Sequence, residues 1–135
     1  MTTTEVYLKD LTDKLYKFQQ ENVLCDTALI VDDCQIWAHS IVLAAVSPYV
    51  CKHFLMITGH KAKYRFSLKL GGCDAVCVKA VLHFLYTGSL VLPTSFKQPE
   101  EFAGILQVCE KLGINVAKLN GAAVNFVDVN PYIDS

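Results

Sequence analysis

The run from Cys25 to Val31 constrains the fold of this chain more than any other segment. Its residues are largely apolar at both odd and even positions, so a strand formed by them has two faces to bury. Asp32 and Asp33 interrupt the run, and a second apolar stretch follows from Cys34 to His39. Two short apolar runs separated by a polar pair predict a buried β-hairpin over residues 25–39.

Helical and strand periodicity covers most of the remaining chain. Asp74 is a good N-cap for a helix that ends at Gly88, and Pro99 stands where a first-turn proline belongs. Apolar and polar residues alternate over residues 64–70, which predicts a strand with one solvated face. The predicted helices span residues 8–18, 40–46, 48–54, 74–86 and 99–112, and the predicted strands span residues 25–31, 34–39, 64–70 and 89–92.

Length and composition favour one domain that has apolar surface to bury between molecules. The chain has 135 residues, of which 53% are hydrophobic and only 19% charged. Its formal net charge of -1 lacks the basic surplus that binding to a phosphate backbone requires, so we expect no direct contact with nucleic acid. Gly121 and Pro131 lie in a segment without helical period, which predicts a domain over residues 1–119 and a tail or the start of a linker over residues 120–135.

The cysteines indicate a reducing compartment. Six are scattered through apolar segments with no Cys-x-x-Cys pair among them, which is typical of buried free thiols. No apolar run approaches the roughly 18 residues that cross a bilayer, and the start of the chain lacks the basic and apolar regions of a signal peptide. We therefore expect a cytosolic or nuclear protein that does not enter a membrane.

Asp26, His39 and either Ser40 or Ser47 together contain the carboxylate, imidazole and hydroxyl groups of a hydrolase triad. Three such residues occur by chance in almost any chain, and neither serine lies in the Gly-x-Ser-x-Gly turn that exposes a nucleophile. Neither neighbourhood offers glycine-rich backbone for an oxyanion hole. We therefore predict that these four residues are structural and that the chain is not an enzyme.

Thiol and imidazole groups also raise the question of a zinc site. Cys51 and His53 lie two positions apart on a predicted helix and so point about 200° away from each other, with His60 further along the chain. Cys73 and Cys77 have the i, i+4 spacing of a helix but no second pair nearby, so they are more typical of buried small hydrophobes. We predict no metal and no cofactor.

The first helix carries an apolar stripe that suits either the core or a partner molecule. Leu8, Leu11, Leu15 and Phe18 recur at steps of three and four residues. From periodicity alone, core packing explains the stripe as well as an intermolecular contact does. Because the helix precedes the buried elements and the chain has little charge, we predict that the stripe is an intermolecular face.

Four segments of the sequence together resemble one family. Residues 24–31 read Leu-Cys-Asp-Thr-Ala-Leu-Ile-Val, and residues 36–49 carry Ile-Trp-Ala-His followed by Val-Ser-Pro-Tyr. Leu-Tyr-Thr-Gly at 85–88 and Cys-Glu-Lys-Leu-Gly at 109–113 follow in the same order and spacing. In residue type, order and spacing, these segments resemble the signature of BTB/POZ domains.

The resemblance implies an α+β domain, with a small three-stranded sheet and a cluster of helical hairpins, that dimerises chiefly through its first helix. In many members an N-terminal strand is swapped between subunits, and Thr4 to Tyr7 is available for it. The implied dimer interface consists of Val6, Leu8, Leu11, Leu15 and Phe18. The implied partner groove has one wall and a facing residue: Lys14, Lys17, Phe18 and Glu21 opposite Val46. The expected partners are a second copy or another BTB protein, together with corepressor peptides.

Two large classes share this domain. In one it heads a zinc-finger transcription regulator that recruits corepressors in the nucleus, and in the other it heads a cytoplasmic adaptor for a cullin-3 ubiquitin ligase. Residues 11–26, with their spaced leucines, resemble the first class. The helical pattern ends near Leu119, where the adaptor class continues into further helices. The resemblance therefore favours a nuclear transcription regulator, with the cullin-3 adaptor as the alternative.

One position departs from the regulator class. Members commonly place Lys or Arg after the Ala-His pair, where it forms a charged pocket with the family's aspartate, here Asp26. This chain has Ser40 at that position. An aspartate without a cation in a partly buried site must be hydrogen-bonded locally, hydrated or partly neutralised.

Overall fold

The chain alternates helices with short strands. The structure, a computed structural model, describes residues 2–32, 34–58, 66–93, 99–115 and 123–127. Along the chain it contains α1 (Thr3–Gln20), β1 (Thr27–Val31), β2 (Cys34–Ala38), α2 (Ser40–Val46), α3 (Pro48–Thr58), β3 (Phe66–Lys69), α4 (Ala75–Thr87), β4 (Ser89–Pro93), α5 (Pro99–Lys111) and β5 (Ala123–Val127). The predicted α+β class is confirmed.

A three-stranded sheet has the order β2-β1-β3, so β1 is its central strand. β1 pairs with β2 in antiparallel register, where Leu29 lies opposite Ile36, and with β3 in parallel register, where Leu29 lies opposite Leu68. Consecutive β1 residues, Ala28 and Leu29, are both buried, which is the pattern of a strand covered on both faces. The three-stranded sheet and the hairpin are therefore as predicted, but the hairpin is buried only in part, because Cys34 and Gln35 at the start of β2 are exposed.

Cap residues set several helix boundaries. The Asp74 carboxylate accepts a hydrogen bond from a backbone N–H of the first turn of α4 at 2.9 Å, and Gly88 ends that helix with a left-handed φ of 81°. The Ser47 hydroxyl accepts one from the Val50 N–H at 3.1 Å, and Pro48 begins α3. The polar groups that helix ends leave without intrahelical partners are thus satisfied locally. The caps at Asp74 and Gly88 had been predicted from the sequence.

The core is centred on α4, which contacts α1, α2, α5 and β4. Its buried Val78 and Leu82 join Leu29 of the sheet in one apolar cluster, and burying each such side chain contributes about 1.5–3 kcal/mol. α1 packs on α4 through Tyr16, whose ring meets that of His83 edge-on, with 4.6 Å between centroids. No residue of α1 is fully buried, so this helix lies on the outside of the core.

The first helix starts earlier than predicted, at Thr3 instead of Leu8. Thr2 is its N-cap, because the Thr2 hydroxyl oxygen accepts a hydrogen bond from the Glu5 N–H at 3.1 Å. A threonine followed three residues later by glutamate is a capping signal, and it favours a helix over an extended segment. The resemblance had left Thr4 to Tyr7 available for an N-terminal strand, but these residues form the first turns of α1.

A fifth strand lies in the segment for which the sequence predicted a tail or linker. β5 pairs with β4 in parallel register, with Leu90 opposite Val124 and Leu92 opposite Phe126. The prediction had searched this segment for a helical period, whereas Ala-Val-Asn-Phe-Val is rich in the β-branched and aromatic residues that favour strands. Within the residues that the structure describes, no helix is both long and apolar enough to cross a membrane.

Candidate protein-interaction site

One side of α1 exposes apolar side chains next to the side that packs on α4. Leu8 is 50% exposed and Leu11 43% exposed, and Tyr7 beside them is 66% exposed. At about 100° per residue, Tyr7 and Leu8 lie within roughly 60° of Leu11 around the helix axis. We call these three residues the α1 face. Tyr7 was not among the predicted interface residues, because the predicted helix began at Leu8.

The other predicted interface residues have different surroundings. Leu15 is half-buried and packs against the core of its own chain. Phe18 is also half-buried, and the Lys14 ammonium lies 5.5 Å from the centre of its ring. Val6 is exposed, but helical geometry places it about 140° away from Leu11 around the axis. The predicted interface residues therefore fall into three groups. Leu8 and Leu11 are exposed on one face, Leu15 and Phe18 are half-buried, and Val6 is exposed on a different side of the helix.

The predicted partner groove would form only between two subunits. Lys14 and Lys17 are exposed on α1 and Glu21 is exposed at its C-cap, as a groove wall requires. Val46, the predicted opposite wall, is half-buried and packs against the core at the end of α2. The groove stays a prediction.

Ser40 donates hydrogen bonds to Asp26, at the position where the regulator class commonly has a cation. The Ser40 hydroxyl donates to Asp26 Oδ2 at 2.6 Å, and the Ser40 backbone N–H donates to Asp26 Oδ1 at 2.7 Å. The Thr27 hydroxyl adds a third hydrogen bond to Oδ1 at 3.1 Å. Three donors to one half-buried carboxylate compensate for its partial loss of water. Of the possibilities left open by the sequence, the structure shows local hydrogen bonding.

His39 is buried within a second polar network. Its Nε2 lies 2.8 Å from the Val23 carbonyl, which can only accept, so Nε2 carries the proton and Nδ1 accepts from the Tyr86 hydroxyl at 2.6 Å. The Tyr86 oxygen in turn accepts from the His39 backbone N–H at 3.0 Å. Burial raises the pKa of Tyr86, which keeps its hydroxyl protonated as a donor. Cys25 lies beside this network, and burial, followed by the charge of Asp26, raises the pKa of its thiol to about 11.

The candidate hydrolase residues do not form a triad. Both ring nitrogens of His39 are bonded to Val23 and Tyr86 and not to a serine. The buried Ser47 hydroxyl donates to the Leu112 carbonyl at 2.6 Å, which ties the start of α3 to the end of α5. Asp26 and Ser40 thus share one hydrogen-bond network, whereas His39 and Ser47 belong to two others.

The candidate zinc ligands are also dispersed. Cys51 is half-buried and His53 is exposed on α3, while His60 lies outside the described residues. Cys73 and Cys77 are buried free thiols, and burial raises the pKa of both. In the described part of the chain, no group of three or more His, Cys, Asp or Glu side chains is arranged to hold a metal ion.

Replacing Ser40 with alanine should lower the free energy of unfolding by about 1–2 kcal/mol. The substitution removes the hydroxyl that donates to the Asp26 carboxylate, and a hydrogen bond to a charged group contributes about 1.5–3 kcal/mol. The expected loss is at the lower end of this range because Asp26 is only half-buried. Urea unfolding measures the change, and Ser67→Ala, at an exposed position of β3, serves as the control. A Ser40→Ala chain as stable as the control would show that the backbone N–H alone suffices for Asp26.

A small α+β fold with an exposed apolar helix face defines a protein-interaction domain, and comparison with known families agrees. The sequence profile of the BTB/POZ domain matches residues 15–121. The chain belongs to the BTB/POZ family, as its sequence landmarks had suggested. Domains of this family are protein-interaction modules that dimerise and bind partners.

The known proteins similar to this chain include Kelch-like proteins and the BTB domain of PATZ1. Human Kelch-like protein 28 is 32% identical over 90 residues, which cover 66% of this chain and 15% of that protein. Human Kelch-like protein 2 is 25% identical over an alignment that covers 99% of this chain and 24% of that protein. The BTB domain of zebrafish PATZ1 has the same fold, with a TM-score of 0.66 at 19% identity over 89% of this chain and 91% of that domain. The chain thus spans less than a quarter of the length of these Kelch-like relatives.

Proposed function

We propose that this chain is a dimerisation module that recruits other proteins. The observation that carries the proposal is the α1 face, where three large apolar side chains are exposed to solvent on the same side of the helix. A monomer gains nothing from such a face, whereas a two-fold dimer covers it twice with the same contact. Light scattering tests the proposal: the expected mass is twice the 15.0 kDa of one chain, and a monomer at micromolar concentration would contradict it.

For the whole protein, the first candidate role is transcription regulation in the nucleus through corepressor recruitment. The spaced leucines of residues 11–26 support it, because they resemble the regulator class. Among the residues that the structure describes, the next element after α5 is the strand β5, whereas the adaptor class continues into helices, and this also supports the regulator role. Ser40 weakens the expectation of a strongly basic groove, so corepressor peptides should bind with micromolar affinity at best.

The second candidate is a substrate adaptor for a cullin-3 ubiquitin ligase, which would act in the cytoplasm. The similarity to Kelch-like proteins 28 and 2 favours this role, because their names denote kelch-type proteins and the match to the latter covers almost the whole chain. Residues beyond Ser135 would distinguish the two candidates directly. Repeated Cys-x2-4-Cys and His-x3-5-His units belong to the regulator, and repeats of about fifty residues belong to the adaptor.

Binding measurements distinguish the same two roles without further sequence. A labelled corepressor peptide and an N-terminal cullin-3 fragment are titrated separately against the purified chain. The regulator role predicts saturable micromolar binding of the peptide and no binding of the cullin fragment. Tight cullin binding without peptide binding would reverse this order and assign the chain to the adaptors.

A further inference from the structure

A groove of about 320 Å³ runs along the outer edge of the three-stranded sheet. Its floor is β3, one wall is α3 and the other is the end of α5. We call it the β3-edge groove. It shares no residue with the α1 face, so whatever binds there does not depend on the proposed dimer contact.

The backbone of β3 directs hydrogen-bonding groups into this groove. The Phe66 N–H donates to the Asp26 carbonyl at 2.9 Å, and the Leu70 N–H donates to the Ile30 carbonyl at 2.8 Å. These residues face β1, and strand residues alternate in direction, so the N–H and C=O groups of Ser67 and Lys69 face outward. Among the described strands, none pairs with this outer side of β3.

The groove carries positive charge in a chain that is otherwise close to neutral. Lys69 on β3 and Lys111 on α5 both line it, and His53 on α3 adds a third basic side chain. No Asp or Glu is among its described lining residues. The whole chain has a formal net charge of -1, so this is a local concentration of one sign. Such a surface selects a negatively charged partner and disfavours a positive one.

Apolar groups complete the groove. Tyr49 on α3 is 62% exposed and Leu68 on β3 is half-buried, and both line it. An added strand presents alternate side chains to opposite faces, so one set can contact these apolar groups while the other reaches the lysines.

We propose that the β3-edge groove binds an extended acidic segment of a partner protein as an additional strand on β3. Backbone hydrogen bonds to Ser67 and Lys69 provide affinity, and Lys69 and Lys111 select for carboxylates. A second copy of this chain fits less well, because pairing two β3 edges would bring the lysines of both grooves together. The recruited partner is thus distinguished by its charge and its extended conformation.

A synthetic probe tests the proposal. A capped eight-residue peptide of alternating Glu and Val, labelled with a fluorophore, is titrated against the 135-residue chain by anisotropy. Binding should be saturable and should weaken as salt rises, because exposed charges are screened. The Lys69→Glu/Lys111→Glu variant should bind about tenfold or more weakly, since two attractions become repulsions. Lys79→Glu, which makes the same kind of charge change on α4, should leave affinity within about twofold.

Backbone modification tests the added strand itself. Peptides N-methylated at odd or at even residues have the same charge, but only one set removes the N–H groups that face β3. One set should therefore abolish binding and the other should retain it. Bound peptide should also slow amide hydrogen exchange at Ser67 and Lys69.

Three results would overturn the proposal. The first is that the peptide does not bind at low salt. The second is that it binds without protecting the Ser67 and Lys69 amides from exchange. The third is that self-association of the chain protects these amides before peptide is added. The monomeric Leu8→Asp/Leu11→Asp variant should still bind the peptide. Loss of the dimer and loss of this site are therefore separate observations.

Discussion

Replacing Leu8 and Leu11 together with aspartate is expected to turn a dimer of this chain into folded monomers. About half of each side chain is exposed, and covering that half contributes about 1 kcal/mol per leucine. Four leucines in two copies amount to about 4 kcal/mol, so the dissociation constant should rise roughly a thousandfold. The four introduced carboxylates oppose association further. Light scattering over a concentration series measures the loss.

The choice of residues follows from the structure. Leu15 stays unchanged, because it packs on the core of its own chain and its replacement would confuse unfolding with dissociation. Met56→Asp is the control, since Met56 is 77% exposed on α3 and its replacement adds one carboxylate away from the α1 face. Two outcomes would rule out the α1 face as the contact. The control could dissociate as fully as the variant, or the variant could remain a dimer with an unchanged melting temperature.

Local signals in the sequence predicted most of the fold. Asp74, Gly88 and Pro99 act through backbone groups within a few residues of themselves, so their effect can be seen from sequence alone. The hairpin was equally accessible, because a strand buried on both faces has a nearly continuous apolar sequence. The start of α1 was missed although Thr2 and Glu5 form a local capping signal, since the family resemblance suggested a strand there.

Contacts between distant segments could not be predicted in this way. His39 and Tyr86 are 47 positions apart, and nothing near either residue indicates that the histidine accepts from the tyrosine hydroxyl. The same is true of Ser40, for which the sequence showed the loss of a cation but not the hydrogen bonds that replace it. The β3-edge groove likewise consists of residues from three elements, and its charge is evident only once Lys69 and Lys111 are found to line the same groove.

Replacing Gly113 with alanine is expected to lower the free energy of unfolding by about 2–5 kcal/mol. Gly113 has a φ of +67°, which costs an L-residue about 1–2 kcal/mol. An added Cβ would also lie 2.7 Å from the Cβ of Tyr49, which is fixed to the backbone of α3 and cannot rotate away. Overpacking of this kind costs about 1–3 kcal/mol. The Ser47 to Leu112 hydrogen bond at the same junction resists the separation of α3 and α5 that would relieve the clash.

Gly88→Ala separates these two contributions, because Gly88 has a φ of +81° but no atom within 4 Å of an added Cβ. It should therefore cost only the backbone strain of about 1–2 kcal/mol. A double-mutant cycle with Tyr49→Gly, which removes the opposing Cβ, should reduce the cost of Gly113→Ala to that of Gly88→Ala. Urea unfolding of the four chains in the cycle gives the coupling. Gly113→Ala could instead cost no more than Gly88→Ala while Tyr49 is present. In that case the close approach of α5 to α3 does not constrain this junction. The wall that α3 contributes to the β3-edge groove would then be free to move.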